Sequence, residues 1–350
     1  MARGGTGSLD RQSAYSRFRG REAMGRILIG TCSWTDKSLI ESGEFYPRAN
    51  MTAEERLRFY ALQFPLVEVD STYYALPSPR ITSLWADRTP AGFTFDIKAF
   101  RLFTGHWTEK SAFPKDMQAD LPPLPASKRG YYYKDVAAEM TDEMWRRFNE
   151  ALDPLANADK LGLVLFQFPQ WLRPSSEVKD RVLEAQSRLP GRRLAVEFRH
   201  RSWVDEKHRS DTVHFLREHN LTFVSVDEPQ GFPSSLPPLA LATSDIAYVR
   251  FHGRNAATWE ARASSSAERF DWYYTPEELS EWVPRIRALQ AETRAVHALM
   301  NTNRGNQGPT NARLLARLLQ EPLPGDWLEN ESPAKGGVDL FEEAAEDGAW

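Results

Sequence analysis

Eight short apolar runs recur along the chain, each separated from the next by room for at least one further element. They are ILIGTCS (27–33), LVEVDST (66–72), FTFDIKA (93–99), LGLVLFQF (161–168), LAVEFRH (194–200), LTFVSVD (221–227), IAYVRFH (246–252) and VHALMN (296–301). Each has strand length and is rich in β-branched and aromatic residues. Between them lie segments with helical signals. MTAEERLRFYALQF (51–64) opens on a Thr-x-x-Glu capping box, Thr52 to Glu55. SPRITSLWADR (78–88) and SSEVKDRVLEAQSRL (175–189) place serine before the first turn. TDEMWRRFNEALDPLA (141–156), DTVHFLREH (211–219), TPEELSEWVPRIRALQAE (275–292) and PTNARLLARLLQ (309–320) complete the set, with Thr275 and Pro276 forming an N-cap and N1 pair.

Strands alternating with helices imply a parallel sheet. Eight such units predict an α/β protein built as a single (β/α)8 TIM-type barrel. An open doubly wound sheet is the competing architecture, but it would carry a glycine-rich phosphate loop after its first strand. That position reads TCSWTDKS (31–38), which is no such loop. Two connections exceed what a barrel needs. Residues 101–140, after strand three, carry Trp107 and the run YYY (131–133); residues 253–275, after strand seven, carry Trp259 and DWYY (271–274). Both long loops belong to the C-terminal face, where loops of this length build or cover a site, or simply pack down their own aromatics.

Composition narrows the function classes. No run of about 18 apolar residues exists, so no membrane span is expected. The formal net charge of −4 excludes a globally basic nucleic-acid binder, though not a local basic patch. The single cysteine, Cys32, excludes an internal disulfide and a multi-cysteine zinc site, and fits a reducing, cytoplasmic setting. Its place in a strand favours a buried, inert thiol. Residues 1–24 are basic and Gly/Ser-rich without an apolar signal core, and are expected to form a disordered arm. The barrel is expected over 25–320. From Glu321 to Trp350 nine acidic residues face one lysine, a net of −8 that leaves +4 on residues 1–320. That tail is expected to be a solvated, disordered segment.

The polar residues within the strands locate a pocket. Alternate strand residues face opposite ways. In AVEFRHRSW (195–203), Val196 and Phe198 turn toward the helices, and Glu197 and Arg199 turn toward the barrel axis. The same parity sends Glu68, Asp70, Asp96, Lys98, Gln167, Ser225, Asp227, Arg250, His252 and Asn301 inward. An isolated buried charge costs several kcal/mol, so charges of both signs converging here must pair. Glu68 and Asp96 lie deepest and are the expected structural members. At the C-terminal end, Glu197 or Asp227 is placed to act as general base, and Lys98 or His252 as general acid. A Schiff base on Lys98 is open but unselected. Asp70, Tyr73, Gln167, Arg199, Trp203, Arg250 and Asn301 form the expected substrate-binding set. Trp34, Tyr73, Tyr74 and Trp203 offer stacking surfaces or space-filling bulk. If a divalent metal binds, Glu197, Asp227 and His252 are its expected ligands, with His200 nearby. No cofactor is required by sequence. Lys98, Arg199 and Arg250 oppose a metal cluster and favour a phosphate or carboxylate.

These stretches are similar to the YecE-like family, known as domain of unknown function 72. The matching motifs are IGTCSW (29–34), FYP (45–47), VEVDSTYYALPSP (67–79), W-x-x-RTPxGFxFxIKAFR (85–101), LGLVLFQFPQ (161–170), AVEFRHRSW (195–203), YVRFHG (248–253) and NRGNQGPTNA (303–312). They run in order over about residues 27–320. The resemblance implies a TIM-type barrel related to those of endonuclease IV and xylose isomerase, and through that analogy a DNA-binding or metal-dependent role. Two loops depart from the family's usual form. Asn301 and Asn303 are separated where relatives carry an adjacent pair, and Cys32-Ser33-Trp34 replaces a small residue, Gly and Trp.

Three readings stand at this stage. The first is an enzyme, a hydrolase, lyase or isomerase, acting on an anionic small molecule, phosphorylated or carboxylated, sugars included. The second is a nucleic-acid enzyme or binder, and the third a ligand-binding barrel without turnover.

Overall fold

A strand in a parallel sheet satisfies its backbone on both sides only when no edge is left open. Here β1 (Arg26–Thr31), β2 (Leu66–Val69), β3 (Thr94–Lys98), β4 (Leu161–Gln167), β5 (Arg193–Glu197), β6 (Thr222–Asp227), β7 (Ile246–Phe251) and β8 (Ala295–Met300) pair in sequence order, all parallel, and β8 closes on β1. The fold is a (β/α)8 barrel of the TIM type. The structure, a computed structural model, describes residues 24–125, 127–261 and 266–326. The expected basic arm up to Ala23 and the acidic tail beyond Asp326 lie outside the described residues. Residues 321–326, assigned to the tail from sequence, pack on the barrel: Leu323 is buried and Glu321 pairs with Arg287 at 2.7 Å.

The helices are α1 (Lys37–Ser42), α2 (Ala53–Gln63), α3 (Pro79–Asp87), α4 (Ala138–Asn157), α5 (Ser176–Arg188), α6 (Arg209–Glu218), α7 (Ser266–Arg269), α8 (Pro276–Ser280), α9 (Val283–Glu292) and α10 (Gln307–Leu319). The Thr52–Glu55 capping box starts α2 as the motif requires, and Thr275 caps α8 in a second box with Glu278. The expected helix over 275–292 is broken in two. Pro284 has no N–H to continue the ladder, and Trp282 at the break is buried instead of facing solvent.

Two layers hold the barrel. Outward-facing residues such as Phe95, Phe166 and Phe198 pack with Trp85, Trp145 and Trp203 of the surrounding shell. Inside, the lower layer is polar but closed: Asp96 accepts from the Leu163 N–H at 2.7 Å and meets His297 Nδ1 at 2.8 Å. Strands β1 and β2 approach so closely at Gly30 that an added Cβ would sit 2.0 Å from the Leu66 carbonyl oxygen. Only glycine fits that contact.

Candidate functional site

Arg250 of β7 is the centre of the interior. It is fully buried and shared between two carboxylates, donating Nη2 to Glu68 Oε1 at 2.7 Å and Nη1 to Glu197 Oε2 at 2.5 Å. Gln167 accepts from the same Nη1 at 3.3 Å, and Tyr248 donates its hydroxyl to Glu68 Oε2 at 2.6 Å. Register explains the convergence: Gln167 lies opposite Glu197, and Glu68 opposite Asp96. Paired residues of parallel strands share a face. Burial drives the Glu68 carboxyl up to about 8, with Arg250 opposing. Burial acts on Glu197 too, but Arg250, His252 and Arg199 outweigh it and hold that carboxyl well below its ordinary range. Cys32 lies 3.7 Å from Arg250, yet burial and Glu68 keep it a thiol, the inert state expected from sequence.

Above this layer the mouth is cationic. Lys98 pairs with Asp70 at 3.2 Å and lies 4.8 Å from the centre of the Tyr73 ring. Burial disfavours its charge, but Asp70, Glu68 and Tyr73 together outweigh burial and Arg250 and keep its pKa raised. Lys98 therefore stands in the mouth as a paired cation. Arg101 lies 5.4 Å from the Tyr73 ring centre and 4.7 Å from that of Trp107. Arg199 lies 4.9 Å from Trp259 and donates to Glu197 Oε1 at 3.0 Å. Trp107 and Trp259, one from each long loop, thus brace the two arginine side chains. Trp259 and Phe270 also pack beside His252.

His252 is neutral and fully engaged. Its Nδ1 meets the Asn301 amide nitrogen at 2.9 Å, and its Nε2 faces both Glu197 Oε1 at 3.3 Å and Arg199 Nη1 at 3.4 Å. Burial lowers its pKa to about 4. With both nitrogens occupied, His252 holds Glu197 in place.

Strand β6 corrects one expectation. Val226 lies opposite Arg250, and Asp227 opposite Phe251. Asp227 therefore faces outward, as does Ser225 opposite Val249, which was also expected inward, and Glu228 continues the inward face. Period-two alternation gives which residues share a face but not which face is inside, and the polarity of Asp227 pointed the wrong way. Asp227 accepts from Arg254 at 2.8 and 3.0 Å, Tyr274 at 2.6 Å and Trp282 at 2.7 Å. It ties the loop after β7 to the break between α8 and α9. The trio Glu197, Asp227 and His252 consequently does not converge, and His200 is occupied by Ser202 at 2.7 Å. Among the described residues no three His, Cys, Asp or Glu side chains are disposed to hold a metal ion.

Trp203 is the second correction. It is buried, stacked on the outward-facing Phe198 at 3.8 Å, and donates to the Leu172 carbonyl oxygen. It belongs to the shell behind the barrel wall. Trp34 is likewise buried against Trp85. Tyr74 stays open, 57% exposed.

Two residues at the site were not singled out from sequence. Glu228 accepts from the Leu236 N–H at 2.6 Å, while its Oε2 has no hydrogen-bond partner and sits 3.8 Å from Arg199. Burial raises it to about 8 against the pull of Arg199. The pair DE (227–228) held the signal, and one step of strand extension would have found it. His106 stands between Tyr73 and Trp171 in the loop after β3. Nothing in that loop's sequence marks it.

Fold and site together define a TIM-type barrel with a charged, aromatic-braced mouth at its C-terminal face. Residues 28–335 match the family described as "Protein of unknown function DUF72", and the chain belongs to that family. It is 29% identical over 319 residues to the UPF0759 protein YunF of Bacillus subtilis (strain 168), covering 90% of this chain and 100% of that one. A solved DUF72 family protein of Thermotoga maritima MSB8 is 28% identical with a TM-score of 0.65, covering 85% of this chain and 100% of that one. Another, from Enterococcus faecalis V583, is 24% identical with a TM-score of 0.68, covering 89% and 100%. No described helix is long and apolar enough to cross a membrane.

Proposed function

We propose that the barrel mouth binds a small anionic molecule, a phosphorylated or carboxylated compound such as a sugar acid or sugar phosphate, and acts on it by acid/base chemistry. The observation that carries this reading is Arg101. It is braced by two rings and has no carboxylate partner among the described residues, and its Nε is a buried donor without an acceptor. A buried unsatisfied cationic donor is costly, and an anion would satisfy it. Lys98 and Arg199 flank the same space. Glu228, held protonated beside Arg199, supplies a proton donor at neutral pH, while the ionised Glu197 keeps Arg199 and Arg250 in place. The test is calorimetric titration with inorganic sulfate. Arg101→Ala should abolish binding with little change in melting temperature, since only cation–π contacts worth about 0.5–1 kcal/mol each are lost. Equal binding by the variant would remove the reading.

A nucleic-acid ligand is the second reading. It is supported by Tyr74, Trp171 and Tyr273, each more than half exposed on loops at the same end of the barrel as the cations. Bases stack on such rings while cations meet the phosphates. Binding of single-stranded DNA that weakens steeply with salt would favour it.

A further inference from the structure

Thr104 Oγ1 lies 3.0 Å from the Arg101 carbonyl oxygen and 2.8 Å from His106 Nδ1. A hydroxyl has a single proton, and a carbonyl oxygen can only accept. The Thr104 proton therefore goes to the carbonyl, and Nδ1 must carry the hydrogen that it donates to Thr104. This fixes the tautomer and leaves the lone pair on Nε2. Nε2 has no hydrogen-bond partner among the described residues, and the residue is only partly buried. Tyr73 and Trp171 hold the ring edge-on at 5.5 and 5.9 Å. The charged groups that face it are Lys98 from β3, Arg101 from its own loop and Arg199 from the segment after β5; burial first, and then these cations, lower it to about 3. Asp70 is engaged with Lys98. His252, by contrast, has both nitrogens occupied.

We propose that His106 is the proton acceptor of this mouth, its Nε2 taking the proton of a hydroxyl on a small anion, a hydroxy acid or sugar phosphate, held by Lys98, Arg101 and Arg199. The proposal rests on the anion-pocket reading above. In the step, the ligand O–H bond breaks, an Nε2–H bond forms, and the electron pair stays on the oxygen, where the Lys98 ammonium stabilises it. The free site keeps His106 a poor base chiefly because burial disfavours the charged ring, and further because three cations repel a proton. A bound anion offsets those charges and raises its proton affinity. Anion binding and protonation of His106 are therefore linked, each favouring the other by the same factor.

Sulfate is a suitable probe, because it does not titrate near neutral pH and any proton taken up belongs to the protein. Sulfate would be titrated into the full chain at about pH 5, between the depressed histidine and an ordinary one, in two buffers of unlike ionisation enthalpy. The expected result is net proton uptake on binding, lost in His106→Gln while sulfate affinity changes less than about threefold, because the cations remain. Binding without uptake, or uptake that persists in His106→Gln, would overturn this proposal and leave the anion pocket standing. Absence of binding by the wild-type chain would overturn both. Nitrogen chemical shifts of the free protein provide an independent check: a hydrogen on Nε2 of His106 in place of Nδ1 would also overturn the proposal.

Discussion

At the scale of single residues, the interior is organised by one arginine. Arg250 is buried without solvent contact, and Glu68 and Glu197 depend on it for their charge balance. Replacing it strands a buried carboxylate, which costs about 3–5 kcal/mol. Arg250→Ala is therefore expected to lower the urea midpoint sharply, and Glu197→Gln to do so less, since Gln can still accept from Arg250. Glu228 gives a signed pH dependence. Its folded pKa, about 8, stands above the ordinary glutamate value because burial disfavours the charge. Below the unfolded value, about 4.3, both states hold the proton and its contribution is fully present. As pH rises through the window up to about 8, the unfolded chain releases the proton while the folded chain keeps it, and stability is lost. Urea midpoints measured at both ends of that window should differ less in Glu228→Gln than in the wild type. Part of the slope persists, because Glu68 is shifted in the same direction. An unchanged slope would mean that Glu228 is already ionised in the folded protein.

At the scale of elements, the loop after β7 and the break between α8 and α9 act as one unit around Asp227. Arg254, Tyr274 and Trp282 all donate to it, and the loop carries Trp259, which braces Arg199. Asp227→Ala leaves buried donors unsatisfied at about 1–3 kcal/mol each. The expected outcome is faster backbone hydrogen exchange over 253–261 and 266–275, with the barrel strands still protected. Exchange confined to wild-type rates would show that the loop is held by its own contacts. Gly30 governs the first strand pair. Gly30→Ala forces a Cβ into the Leu66 carbonyl, so β1 and β2 must separate. A loss of soluble, folded protein is expected, read by circular dichroism.

At the scale of the whole molecule, the recurrence of eight strands, with helical segments after seven of them, was enough to give the barrel, because local propensity and spacing agree along the chain. The capping box at Thr52 and the N-cap at Thr275 were equally legible, because a cap is a contact within four residues. Parity also brought Glu68, Lys98, Gln167, Glu197, Arg250, His252 and Asn301 to the interior correctly. Within the sequence, however, nothing fixed the absolute sense of β6, which depends on its register with β7. Asp227 therefore exchanged places with Glu228 in the inward set. Trp203 was misplaced for a related reason: the segment after a strand can fold over the mouth or behind the wall, and the stack on Phe198 decided it. His106 was silent, because a residue in a long loop acquires its surroundings only when other loops close on it. The chain by itself determined its periodicities, its caps and the class of its fold. Which charges meet, and that among the described residues Nε2 of His106 and the guanidinium of Arg101 are left without a hydrogen-bond or carboxylate partner, were decided only by tertiary structure. Those properties depend on distances between residues far apart in sequence, and closing the barrel is what sets them.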